Sequence, residues 1–170
     1  MWNRETPAIT TSLRGTLAEE VTLHGARIDL HSGMYGGAAV NPIHILARAL
    51  GALHDAHGRI TLPGFYNGVP KLDKATRAAW AALDFSEAAF LGAVGLGVPA
   101  GASGFSVLEN IWARPTAEVN GIWGGYTGPG FKTVLPANAY AKVSFRLVGD
   151  QDPEAIRASF RAWLQAQIPA

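Results

Sequence analysis

Two places in this chain announce a helix in the same way, and together they constrain the fold more than any other feature. At Asn41-Pro42 and again at Asp152-Pro153, a short side chain that can accept from first-turn amides precedes a proline. Proline suits the first helical position, because no amide bond is lost there and its φ is already helical. Ile43, Leu46, Leu50 and Leu53 follow the first signal at helical spacing, with Gly58 as a stop; Ile156, Phe160, Trp163 and Leu164 follow the second. Each apolar stripe needs a surface to cover it, and residues 139–148 supply one by alternation. Ala141, Val143, Phe145 and Leu147 share one face, and Lys142, Ser144 and Arg146 the other. Residues 8–14 and 19–27 also alternate, which predicts a hairpin turning near Gly15, and residues 116–123 read as a further strand. Strand-then-helix therefore occurs twice. The expected class is α+β: a two-layer α/β sandwich with a ferredoxin-like antiparallel sheet and both helices on one face. In that order a further strand comes after the second helix, and the chain stops at "QIPA" before it.

The chain of 170 residues reads as a single domain, 1–170, with a helical and irregular insertion at about 59–115. Within it, Asp73 and Ser86 are candidate helix caps, and "VLENIW" reads as a last helical turn before Arg114-Pro115. No charge occurs from Ala88 to Leu108, but that run holds five glycines and a proline. It reads as a partly buried connection, not a membrane span. With 14 basic and 13 acidic residues, bulk charge gives no footprint for nucleic acid or a membrane surface. The absence of cysteine excludes disulfides and thiolate metal sites and fits a reducing compartment. The first residues lack the apolar core of a secretory signal, so the expected location is cytoplasmic.

"DLHSGMYGG", Asp29 to Gly37, looks reactive, with a histidine beside a hydroxyl and an acid. Adjacent side chains on an extended segment point to opposite faces, however, so His31 cannot activate Ser32, and no nucleophile elbow is present. "GGYTGPGFKT", Gly124 to Thr133, resembles a phosphate loop until Phe131 intervenes between Gly130 and Lys132, and the residues after Thr133 read as a turn and a strand instead of a helix. "GAVGLG" has the wrong glycine order for a dinucleotide site. The five histidines have no carboxylate-rich partner segment, so no metal site is expected in this chain. Arg146, on the polar side of its strand, fits either an ordinary surface arginine or a two-pronged grip on an anion.

Several stretches taken in order carry a resemblance: "LRGTLAEEVTLHG", "IDLHSGMYGGAAVNP", "GRITLPGFYNGV", "RPTAEVNGIWGGYTGPGFKTVLPANAYAKVSFRLV" and "QDPEAI". They resemble the lid, or dimerisation, domain of the two-zinc metallopeptidases of family M-twenty, with carnosinase-type dipeptidases, a desuccinylase and a glutamate carboxypeptidase among its members. The catalytic-domain signatures of that family are absent. No histidine-x-aspartate occurs, and the lone Glu-Glu pair, Glu19-Glu20, sits in the first alternating region.

The resemblance implies a lid without its catalytic zinc domain, inactive alone, from a zinc-dependent dipeptidase or related amidohydrolase that cleaves peptide or amide bonds. The parent would hold two zinc ions in the domain absent here and would take a dipeptide or acyl amino acid. The lid would form a homodimer and act in trans: His31 would stabilise the oxyanion, and Thr133 and Arg146 would bind the substrate or its carboxylate. Asn120 and the glycines from Gly124 to Gly130 read as loop geometry. Gly149 departs from the family pattern, where proline is common. The competing expectation is a stand-alone ferredoxin-like module that binds a small ligand or a protein.

Overall fold

The computed structural model describes residues 4–168. Strands are β1 (Gly15–His24), β2 (Leu30–His31), β3 (Thr116–Gly124), β4 (Val134–Leu135) and β5 (Asn138–Leu147). Helices are α1 (Ser32–Tyr35), α2 (Pro42–Gly51), α3 (Lys74–Ala81), α4 (Glu87–Gly92), α5 (Val107–Trp112) and α6 (Pro153–Ala166). The main sheet is antiparallel with order β1-β5-β3, and β2 pairs with β4 in a separate two-stranded ladder. The two-layer antiparallel arrangement is the one expected.

Both cap-and-proline signals open helices as the sequence implies. Asn41 Oδ1 accepts from the Ile43 amide at 2.9 Å, and Asp152 Oδ1 from the Glu154 amide at 2.9 Å. Both helices lie on one face, α2 over β5 and β1 and α6 over β1. β5 delivers its predicted apolar row, with Ala141, Val143, Phe145 and Leu147 all buried. Phe145 meets Phe160 of α6 edge-on, ring centres 5.3 Å apart, and Phe65 at 6.0 Å. Each of these buried rings and branched side chains contributes about 1.5–3 kcal/mol. Glu19 ties the layers electrostatically: it leaves β1 on the helix side and takes Arg157 and Arg161 of α6, each at 2.8 Å. The Glu-Glu pair thus splits across the sheet, and Glu19 serves packing.

The first hairpin does not form. Residues 8–14 carry no strand, and β1 is one strand of ten residues paired along its length with β5. Alternation in 8–14 misled because Ile9 and Leu13 are almost fully exposed, so their periodicity marks no buried face. The region between α2 and β3 also does more than bulge outward. Its opening stretch sends Ile60, Leu62 and Phe65 into the main core. Asp73 and Ser86 do cap α3 and α4, and α5 begins with a full capping box between Ser106 and Glu109. Among the described residues, no helix is long and apolar enough to cross a membrane.

A tight corner occurs where the sequence departs from its family pattern. Gly149 has φ +59°, and a Cβ there would overlap Pro70 Cδ and lie 2.7 Å from the Gly68 carbonyl oxygen. Proline, locked near −65°, cannot take that backbone. Gln151 closes the same corner from inside. Its Oε1 accepts from the Val148 amide at 2.9 Å, and its Nε2 donates to the Phe65 carbonyl.

Candidate functional site

The β2–β4 ladder brings the "DLHSG" and "FKTV" segments together. Leu30 pairs with Leu135 and His31 with Val134. Two further bonds lock the ladder's ends: the Ala137 amide donates to Asp29 Oδ1 at 2.8 Å, and the Ser32 amide to the Thr133 carbonyl at 2.9 Å. His31 is the last strand residue and also the N-cap of α1, so its ring is held by local backbone.

That local geometry decides the tautomer. The Gly33 amide donates to His31 Nδ1 at 3.1 Å. A nitrogen that accepts carries no proton, so the neutral ring is protonated at Nε2. Nε2 lies 3.1 Å from Thr133 Oγ1. The ring therefore donates to the threonine oxygen, which leaves the threonine hydroxyl proton free to donate onward. The outcome is a relay of donors, N–H to O–H to an incoming acceptor, on an exposed surface. An open pocket of about 480 Å³ adjoins it, lined in part by Asp29, His31, Phe131, Lys132 and Thr133. The Lys132 ammonium, 4.8 Å from the centre of the Tyr126 ring, adds positive charge at its wall. A site built of donors and a cation, with a single carboxylate already bonded to Ala137, is suited to an oxyanion or a carboxylate.

Gly33 is required by this arrangement, a point that sequence reasoning missed. A Cβ there would lie 2.7 Å from His31 Cε1 and 3.0 Å from Nδ1. The spacing His-x-Gly, with a histidine as N-cap, was the available signal. Ser32 takes no part with the imidazole, whose Nε2 turns to Thr133.

Arg146 is elsewhere. It lies on the solvent face of β5, paired with Thr16 of β1 and Thr116 of β3, and its Nη1 donates to Thr16 Oγ1. The start of β5, next to the His31 ladder, is eight residues away, or about 26 Å along the strand. Arg14 is its neighbour: burial and then the Arg146 charge lower the pKa of Arg14. No motif or spacing in the sequence singles out Arg14.

Among the described residues, no group of three or more His, Asp or Glu side chains could hold a metal ion. His24, for instance, is bonded through Nδ1 to Asn138 Oδ1 at 2.6 Å.

The model of the peptidase dimerisation domain family matches residues 11–170. The Cys-Gly metallodipeptidase of Saccharomyces cerevisiae is 31% identical over 150 residues, covering 88% of this chain and 31% of that protein. The Beta-Ala-His dipeptidase of Homo sapiens is 29% identical over 157 residues, 92% of this chain and 31% of that protein. Among solved structures, human carnosine dipeptidase 1 superposes with a TM-score of 0.81 at 27% identity, covering 91% of this chain and 33% of that one. A dipeptidase of Saccharomyces cerevisiae gives 0.80 at 30% identity, covering 91% and 32%. The chain spans about a third of the length of the curated relatives it matches. On the match across residues 11–170, this chain belongs to the peptidase dimerisation domain family of the M-twenty metallodipeptidases.

Proposed function

We propose that this chain is the lid and dimerisation module of a zinc-dependent dipeptidase or related amidohydrolase, and that it is inactive alone. In this reading the catalytic base and the two zinc ions belong to a part of the parent outside residues 1–170. The observation that carries it is the His31–Thr133 relay: a preset Nε2–H donor and a threonine hydroxyl proton left to donate onward. Donors held ready for a developing oxyanion are worth about 3–4 kcal/mol each in turnover. Met34 and Phe131, both highly exposed near the relay, form an apolar rim suited to being covered by another surface.

Geometry refines how the three substrate-facing residues would divide. A dipeptide spans at most about 7 Å, whereas Arg146 lies about 26 Å along β5 from the His31 end. One lid cannot place all three on one small substrate. A two-fold dimer resolves this, with His31 and Thr133 from one lid and Arg146 from the other serving each site. Arg146 would grip the substrate carboxylate in a two-pronged way.

The homodimer seam is assigned to β3. It is an edge strand with unpaired backbone groups, and its helix-side residues Val119 and Ile122 stay 41% and 54% exposed because α2 and α6 cover β5 and β1 instead. Antiparallel pairing of β3 with its copy would bury them and extend the sheet. The test is His31→Ala in the full-length parent. Turnover of a dipeptide should fall by about a hundredfold or more with metal content and dimer intact. Equal loss of turnover and metal would make His31 a ligand or a fold residue, and the reading would fail.

A further inference from the structure

A second pocket, of about 420 Å³, opens between the loop after Ile60 and the residues that lead into β3. It shares no residue with the His31–Thr133 pocket. Four cations line it, Arg59, Lys71, Arg77 and Arg114, and no carboxylate does. Arg114 is the best fixed. Its guanidinium carbon lies 4.3 Å from the centre of the Phe105 ring and 4.9 Å from that of Tyr66. Arg59 approaches the Tyr66 ring too, at 5.2 Å. The Tyr66 hydroxyl is itself anchored, accepting from the Ile60 amide at 2.9 Å.

Local acids answer only two of these four cations. Arg77 is paired with Glu109 through Nε at 2.9 Å, and the Asp55 carboxylate lies within electrostatic reach of Arg59. Lys71 and Arg114 have no carboxylate partner among the described residues, and Arg114 Nε is shut off from solvent without a hydrogen-bond acceptor. Two cations without a carboxylate partner, one of them held against two aromatic rings, line the same pocket and offer complementary charge to a dianion. Clamping also removes the side-chain entropy that gripping an anion otherwise costs.

We propose that this pocket binds a small dianionic oxyanion, inorganic phosphate or a phosphate monoester. The guanidinium fork of Arg114 and the Lys71 ammonium hold the oxygens, and the pocket's open mouth leaves room for the body of an ester. The test titrates the full chain with inorganic phosphate, phenyl phosphate and acetate, by calorimetry and heteronuclear NMR. Saturable phosphate binding is expected, with shifts concentrated at Arg59, Tyr66, Lys71, Phe105 and Arg114, and with acetate weaker by about tenfold or more. Tighter phenyl phosphate than phosphate identifies an ester site, and equal binding a free-phosphate site.

Lys71→Gln, an exposed change that leaves the core alone, should weaken phosphate by about tenfold. Arg114→Gln should lose more, and a melting curve checks that it is folded. The proposal is overturned if phosphate does not saturate, if acetate binds as well, if shifts centre on Arg14 and Arg146 or on His31, or if Lys71→Gln binds as the unaltered chain does.

Discussion

Replacing Gly33 with alanine isolates the role assigned to His31 without touching the imidazole itself. Gly33 has ordinary negative φ, so its backbone accepts alanine. The new Cβ, however, would lie 2.7 Å from His31 Cε1. The ring is the free end of a side chain and gives way sooner than the backbone does. Two bonds go with it: Gly33 amide to Nδ1 and Nε2 to Thr133, each at 3.1 Å. The stability cost of exposed hydrogen bonds is about 0.5–1.5 kcal/mol each. Alanine returns about 0.5–1 kcal/mol of that in the helical turn it joins. The fold should therefore stay within about 2.5 kcal/mol of the unaltered protein. Turnover should not: a misplaced oxyanion donor loses about 3–4 kcal/mol, or about a hundredfold to a thousandfold in kcat. The assay is dipeptide hydrolysis by the full-length parent carrying Gly33→Ala, with metal content and melting temperature measured on the same sample. Full activity would refute the positional role of the ring. Lost metal or a collapsed melting curve would refute the reasoning in a different way, by making Gly33 a folding residue.

Other perturbations act on the same contacts. Val119→Lys puts a charge on the uncovered face of the edge strand; it should convert a dimer into monomer in light scattering with the circular dichroism unchanged. Gly149→Pro, the residue common in the family, should destabilise by at least about 1–3 kcal/mol in denaturant titration, because φ +59° is closed to proline. The Asp73 carboxyl is held below its ordinary value, first by the Thr76 amide and then by the Thr76 hydroxyl. A depressed folded-state value stabilises above the unfolded pKa and is lost as pH falls through the folded one. Helicity at α3 should therefore fade only below the ordinary carboxylate range, and Asp73→Asn should remove that dependence, as read by amide exchange.

The elements legible in the sequence were those with two agreeing local signals. Cap, proline and apolar stripe marked α2 and α6, and alternation along Ala141 to Leu147 matched a strand buried on one side. Residues 8–14 had alternation alone, with no partner to bury Ile9 or Leu13, and formed no strand. β2 and β4 are two residues each, too short to leave a period; they exist because Asp29 and Ser32 bond backbone a hundred residues away. Family resemblance points to His31 and Thr133, whereas their contact and the Nε2 tautomer follow only from the folded geometry. The distance of Arg146 from both was implicit in strand length, at eight residues along β5. The Lys71–Arg114 pocket had no sequence signature, since its cations come from separated parts of the chain.

In the proposed function His31 serves another subunit's catalytic site, and mixed dimers of the parent test this directly. One subunit carries His31→Ala; the other keeps His31 but has its catalytic domain disabled. Each pure dimer is inactive. If His31 acts across the dimer, the mixed species contains one complete site and recovers about half the activity of the unaltered dimer, by the arithmetic of one working site in two. If His31 serves its own subunit, neither site is complete, the mixed dimer stays inactive, and the account is contradicted.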